Sequence, residues 1–178
     1  MLSPFLQLKG ERKMIYNVDG KPLNSEIPEL IDPSFGYMDE QGRLIIFWDE
    51  ESDFVDAYGF DKTNVEDNGD YAIDVELPVG TILIRYGRPE GSMTAPFGTP
   101  YEMLSLPYKK DTIQYHQYKV VADGVNVKCV VRQGKARGMF VSPGGAIQYK
   151  HQQSIYKEIA EGKLEEDYSW MNKKTENV

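Results

Sequence analysis

Apolar and polar residues alternate most clearly in the middle of the chain. Residues 71–77 follow the order Tyr-Ala-Ile-Asp-Val-Glu-Leu, and a largely apolar run over residues 81–86 follows after a Pro-Val-Gly turn. Alternation with a period of two is typical of a strand with one buried face, and a short apolar run is typical of a strand covered on both faces. The pattern therefore predicts two successive strands, and the second of them ends at Arg85 and Tyr86.

Several other short runs also have strand-like composition, while one long stretch does not. These runs cover residues 14–16, 43–48, 115–122, 125–132 and 146–150. Asp123-Gly124 is typical of a two-residue hairpin loop, so we predict that residues 115–122 and 125–132 pair as a hairpin. Glycine and proline interrupt residues 87–107 so often that this stretch predicts no element longer than one turn.

One helix is predicted, near the C-terminal end. Four apolar residues fall at helical spacing, namely Ile155, Tyr156, Ile159 and Ala160. Gly162 is placed to end this helix at about residue 161, so we predict a helix over residues 152–161. The fold class expected is a β-dominated α+β domain, with small twisted antiparallel sheets around a cleft and one C-terminal helix packed outside.

Charge and length narrow the functional classes. Among the 178 residues, 28 acidic side chains oppose 20 basic ones, for a net charge of −8. Such a surface repels nucleic acid, so no nucleic-acid partner is expected. The longest apolar run, residues 44–48, is too short for a membrane span, and the first residues lack the pattern of a classical signal peptide. One cysteine and two histidines make a zinc site very improbable by composition, and no metal is predicted.

Composition also suggests a division of the chain. Residues 1–70 are rich in turns and acids and are interpreted as an N-terminal extension or an extra layer of the same domain. Residues 71–168 carry the firmer strand and helix patterns and form the predicted domain. Residues 169–178 are polar and are expected to fray.

Three polar side chains are candidates for chemistry. Arg85 ends an apolar strand, which would present its planar guanidinium rigidly to a phosphate or carboxylate, unless a nearby acid simply pairs with it. Gln148 follows a pair of glycines and can orient a hydroxyl or water through its amide, although a glutamine on a strand is usually a surface residue. His116 can act as acid or base, but a structural role is equally compatible with its isolated position.

The order of these residues and their neighbours resembles one known family. The resemblance rests on residues 77–87 with Arg85-Tyr86-Gly87, Gly91, residues 95–102, residues 105–107, Tyr115-His116-Gln117-Tyr118 and residues 140–149. Together they resemble the tuberculosis necrotizing toxin (TNT) domain family, secreted glycohydrolases of NAD and NADP. The resemblance covers residues 77–165, and residues 1–70 match no family that we can name.

The resemblance implies an enzyme that cleaves the nicotinamide–ribose bond and releases nicotinamide and ADP-ribose. It implies Arg85, Gln148 and His116 as catalytic residues. It also implies substrate-binding positions at Tyr86, Gly87, Met93, Thr94, Gly144 and Gly145. NAD+ or NADP+ is then the substrate, with no further cofactor, and a cognate immunity protein is an expected partner. The expected location is that of a secreted effector acting in a target-cell cytosol.

Two positions depart from the family pattern. Leu104 stands where an arginine is usual, and Met93 stands where an aromatic residue usually covers the nicotinamide. Five cations are candidates to replace the missing charge: Arg88, Lys109, Lys110, Arg132 and Arg137. Two alternatives stay open on these grounds, an ADP-ribosyltransferase and an inactive relative that binds NAD or a protein. The first lacks its usual acid, because Tyr149 and Lys150 follow Gln148.

Overall fold

The structure is a computed structural model that describes residues 14–48, 53–65 and 68–171. Within these ranges it contains nine strands and one α-helix. The strands are β1 Gly36–Met38, β2 Leu44–Ile46, β3 Ala72–Glu76, β4 Ile82–Tyr86, β5 Met93–Pro96, β6 Tyr115–Val120, β7 Val130–Lys135, β8 Ile147–His151 and β9 Leu164–Glu166. The helix α1 is Ile155–Ala160, and short 3-10 helices cover Pro33–Phe35, Tyr101–Met103 and Lys110–Thr112. No helix in the described ranges has the length and apolar character needed to cross a bilayer.

Seven of the strands form one antiparallel sheet, in the order β3-β7-β8-β5-β4-β6-β9. The remaining two, β1 and β2, pair as a separate antiparallel ribbon. The fold class predicted from the sequence, a β-dominated α+β domain with one C-terminal α-helix, is confirmed. The large sheet is continuous because β5 joins its two halves by pairing with β4 on one side and β8 on the other.

The main core lies between the sheet and α1. Its fully or almost fully buried residues include Leu83, Tyr118, Val120, Val131, Ile155 and Leu164. Ser154 begins the helix by accepting a hydrogen bond from the Lys157 amide, and Gly162 follows its end with a φ of 76°. The helix is shorter than predicted. Leu164 begins β9 and packs with Ile155 of the helix in the same buried cluster.

The predicted hairpin over residues 115–122 and 125–132 is wrong. Strand β6 pairs with β4 and β9, whereas β7 pairs with β3 and β8. Asp123 does turn the chain, since its Oδ1 accepts the backbone N–H groups of Val125 and Asn126 at 2.8 and 2.9 Å. This side-chain turn belongs to a longer loop that carries the chain from one half of the sheet to the other.

A second difference between the sequence prediction and the structure concerns the stretch rich in glycine and proline. Sequence patterning predicted no extended element within residues 87–107, but β5 lies there and occupies the middle of the sheet. Its central residues Thr94 and Ala95 are buried at 3% and 2% exposure. A four-residue strand carries too little periodicity to be recognised locally, and its two neighbours stabilise it instead.

The described N-terminal segments pack against this sheet. The Tyr115 amide donates to the Tyr16 carbonyl at 2.9 Å, and the Arg137 amide donates to the Gly59 carbonyl at 3.1 Å. Phe60 is completely buried and forms a β-bridge with Ala136. These segments therefore contribute to the same packed body as the sheet, and the predicted boundaries at residues 70 and 168 stay a prediction.

Candidate functional site

A cleft of about 690 Å³ lies over the strands at the centre of the sheet. Its walls come from residues 85–88, strands β5 and β8, residues 104–108, residues 136–139 and residues 55–59. Ligand-binding pockets typically enclose about 300–1,000 Å³, so this cleft is large enough for a nucleotide-sized molecule. Arg85 and Gln148, which the sequence analysis singled out separately, both line it.

Arg85 extends from the end of β4 beneath the loop that leads to β5. Its Nε donates to the Arg88 carbonyl at 2.8 Å and its Nη1 donates to the Met93 carbonyl at 2.9 Å. Burial lowers the pKa of Arg85, yet a guanidinium remains protonated at neutral pH. No described carboxylate forms an ion pair with Arg85, and both of its described hydrogen bonds go to backbone carbonyls.

Gly91 is the position that lets this loop cover the guanidinium. A Cβ atom at Gly91 would lie 1.9 Å from Arg85 Nη2 and 2.5 Å from its Cζ. The Gly91 carbonyl also accepts the amide of Ile155 at 2.9 Å, which ties the loop to the start of α1. The close approach therefore requires glycine and keeps Arg85 in one position.

Gln148 lies on β8, lines the same cleft and is 9% exposed. Its Nε2 donates to the Tyr58 carbonyl at 3.4 Å, and no described group donates to its Oε1. The amide group is therefore oriented by the N-terminal segment. What remains for a molecule in the cleft is the Oε1 acceptor and the second N–H of Nε2.

Lys150 is a cleft residue that the sequence analysis missed. It follows Gln148 by two positions on β8, and alternate residues of a strand share one face. Its Nζ lies 5.1 Å from the centre of the Tyr58 ring and donates to the His151 carbonyl at 2.9 Å. Burial lowers its pKa. The period of two counted from Gln148 is the signal that could have found it.

Other cations line the cleft and can supply the positive charge that is lost because Leu104 replaces the family's usual arginine. Among the five candidates named from the sequence, Arg88 and Arg137 line it. Arg88 also pairs with Glu90 at 3.2 Å, on the loop above Arg85. The other three lie outside the lining and pair with carboxylates, Lys109 with Glu29, Lys110 with Glu102 and Arg132 with Asp74.

His116 does not line the cleft with the other two candidates. It lies opposite Arg85 on β6, and its side chain is 10% exposed. Its Nδ1 lies 2.8 Å from Glu166 Oε1, and its Nε2 lies 2.7 Å from Gln114 Oε1. Its neighbour Gln114 does reach the cleft.

The predicted substrate-binding positions divide into two groups. Tyr86, Gly87 and Met93 line the cleft. Thr94 is buried on the other side of β5, where its hydroxyl lies 2.7 Å from His151 Nε2. Gly144 and Gly145 lie outside the lining and shape the loop before β8, with φ values of 69° and 87°. Among the described residues, no cluster of three or more histidine, cysteine or acidic side chains could hold a metal ion.

Solved structures similar to this chain include two complexes with an immunity factor or immunity protein. The tuberculosis necrotizing toxin complexed with its immunity factor IFT is 20% identical, with 90% of this chain and 98% of that chain covered and a TM-score of 0.41. Rhs1-CT in complex with RhsI1 is 21% identical over 56% of this chain and 79% of that chain, with a TM-score of 0.40. No curated protein matches this chain.

The family comparison is more direct, because it covers half of the chain. The model described as tuberculosis necrotizing toxin matches residues 76–166. This range begins at the end of β3 and includes every strand from β4 to β9, together with Arg85, Gln148 and most of the cleft lining. The chain therefore belongs to the tuberculosis necrotizing toxin family and contains a toxin domain of that family.

Proposed function

We propose that this toxin domain is an NAD(P)+ glycohydrolase that cleaves the bond between nicotinamide and ribose. The observation that carries the proposal is the meeting of Arg85 and Gln148 at one nucleotide-sized cleft, in a chain of this family. A positive guanidinium in the lining suits a dinucleotide diphosphate. A carboxamide in the same lining suits a ribose hydroxyl or a water molecule.

The reaction needs no group that this cleft lacks. The C1′–N bond breaks with its electron pair moving to the pyridinium nitrogen, so nicotinamide leaves as a neutral molecule without being protonated. The ribose passes through an oxocarbenium-like state, as in other glycoside cleavages. Water then adds to C1′ and loses a proton to the solvent, which gives ADP-ribose.

The side chains act by positioning and by electrostatics. Arg85 is held by two carbonyls and carries a charge that is partly withdrawn from water, which strengthens its attraction for a phosphate. Gln148 orients a hydroxyl or water next to C1′ through its free oxygen. Met93 lines the cleft where the resemblance places the nicotinamide cover, and its sulfur packs favourably against a ring.

Nicotinamide release from NAD+ and from NADP+ by the purified protein tests the proposal. We expect turnover by the wild type, and a loss of roughly 100-fold or more in kcat for Arg85→Ala and for Gln148→Ala. Thermal unfolding of each variant checks that it is folded. Stoichiometric wild-type protein that leaves both dinucleotides intact would refute the proposal, as would transfer of labelled ADP-ribose to a protein instead of its release.

We further propose that a cognate immunity protein restrains this domain and that the domain acts as a secreted effector in the cytosol of a target cell. An inhibitor that covers the cleft would have to offer carboxylates to its cations, since Arg85 and Lys150 both line it. Growth arrest on expression, relieved by the gene for a candidate inhibitor and absent in Gln148→Ala, is the expected result. If the Gln148→Ala variant arrests growth as strongly as the wild type, the toxicity does not depend on the cleft.

A further inference from the structure

A second carboxamide in the cleft has no role in the proposal above. Gln114 immediately precedes β6, is 5% exposed and lines the cleft. Its backbone carbonyl accepts the amide of Gly87 at 2.8 Å, which ties it to the segment that carries Arg85. The side-chain oxygen accepts from His116, whereas the side-chain nitrogen donates to no described group.

The contact with His116 determines which end of this carboxamide is used. A carboxylate oxygen of Glu166 lies 2.8 Å from Nδ1, and the amide oxygen of Gln114 lies 2.7 Å from Nε2. An amide oxygen can only accept, so the contact between His116 and Gln114 is a hydrogen bond in which Nε2 donates. The Gln114 oxygen is thereby occupied, and its NH2 group is left for the cleft.

We propose that Gln114 is a substrate-binding residue that donates a hydrogen bond to an acceptor oxygen of the dinucleotide, and that His116 is a positioning residue acting through it. This inference rests on the proposed glycohydrolase function. It assigns Gln114 as a donor through its NH2 group, whereas Gln148 keeps its Oε1 as an acceptor. His116, which the family resemblance implies as a catalytic residue, then affects turnover without contacting the substrate.

Acceptor oxygens are available at two places in the dinucleotide, the nicotinamide carbonyl and the diphosphate. Binding of ADP-ribose, which has the diphosphate but no nicotinamide, distinguishes them. If Gln114 binds the diphosphate, Gln114→Ala weakens ADP-ribose binding by roughly 10-fold, as for the loss of one hydrogen bond. If it binds the carbonyl, ADP-ribose binding is unchanged and only dinucleotide turnover falls.

An isosteric substitution tests whether the Gln114 side chain acts as a hydrogen-bond donor to the substrate. Gln114→Glu keeps an oxygen for His116 but replaces the NH2 group with a second acceptor oxygen. We expect kcat/KM to fall roughly 10-fold in Gln114→Ala and further in Gln114→Glu, because two acceptors then oppose each other. Wild-type kcat/KM in Gln114→Glu would overturn the inference.

A double-mutant cycle tests the positioning role. If His116 acts through Gln114, His116→Ala lowers kcat/KM in the wild-type background but adds nothing in the Gln114→Ala background. A purely structural histidine would lower the free energy of unfolding in both backgrounds and would show no such kinetic coupling. Kinetic effects that simply multiply would overturn the inference while leaving the glycohydrolase proposal intact.

A matched control, a second buried glutamine, lies on β6 next to His116. Gln117 is also 5% exposed, but its Nε2 donates to Asp167 at 2.7 Å and it does not line the cleft. Gln117→Ala is expected to lower stability and to leave kcat/KM within twofold of the wild type. If the wild type itself releases no nicotinamide, the proposed function is refuted and this inference with it.

Discussion

Replacing Gly91 with alanine tests how Arg85 is held without changing Arg85 itself. The added methyl group would lie 1.9 Å from Nη2, 2.5 Å from Cζ and 2.9 Å from Nη1 of that side chain. The Gly91 backbone is not left-handed, so alanine is compatible with its conformation. Hydrogen bonds from Gly91 to Arg88 and from Ile155 to Gly91 resist movement of the loop. The guanidinium must therefore shift.

The size of the effect follows from the bonds that a shift would break. Arg85 donates to the carbonyls of Arg88 and Met93 at 2.8 and 2.9 Å. A hydrogen bond to a charged group contributes about 1.5–3 kcal/mol, so losing at least one lowers the free energy of unfolding by about 2 kcal/mol. A catalytic group displaced by about 1 Å can cost roughly 100-fold in rate, and we expect a loss of that order in kcat.

Urea unfolding followed by tryptophan fluorescence measures the first effect, and nicotinamide release measures the second. The decisive comparison places Gly91→Ala in an Arg85→Ala background, where the methyl group meets no guanidinium. There we expect the cost in stability to fall close to zero, a coupling of about 2 kcal/mol. An equal cost in both backgrounds, or a fully stable and active Gly91→Ala variant, would refute this account of the loop.

Three further predictions concern the buried residues. Phe60→Ala is expected to lower the free energy of unfolding by about 3–5 kcal/mol in urea unfolding, because the ring is completely buried against the sheet. Cys129 is 1% exposed and burial raises its pKa to about 11, so a thiol reagent should label it only as the protein unfolds. Burial, assisted by nearby cations, lowers the pKa of His151 to about 3 from an ordinary value of 6.5. Between these values the unfolded chain binds a proton that the folded protein does not, so urea unfolding should show about 2 kcal/mol less stability from this group at pH 5 than at pH 7.

Each of these predictions has a control and a contrary outcome. Phe97→Ala removes a ring that is 64% exposed and should change stability by less than about 0.5 kcal/mol. Rapid labelling of Cys129 in the native protein would contradict its burial. His151→Gln should remove its share of the stability lost between pH 7 and pH 5. An identical loss in the wild type and this variant would show that folding does not lower the pKa of His151.

Local sequence patterns were sufficient for several parts of the fold. The period of two over residues 71–77 and the apolar run that ends at Arg85 correspond to β3 and β4. Helical spacing around Ile155, with Gly162 beyond it, correctly predicted the position of α1. These features depend on which face of an element is buried and on which residues tolerate a particular φ. Both are properties of a few neighbouring residues.

The assembly of the cleft, in contrast, depends on the tertiary structure. Asp123-Gly124 indicated a hairpin, but its two flanking strands pair with other partners, and β5 was not recognised although it joins the two halves of the sheet. Gln114 became visible as a cleft residue only in the folded chain. The choice of strand partners, and the groups that meet at a site, depends on packing between residues far apart in the chain. No local window of sequence contains that information.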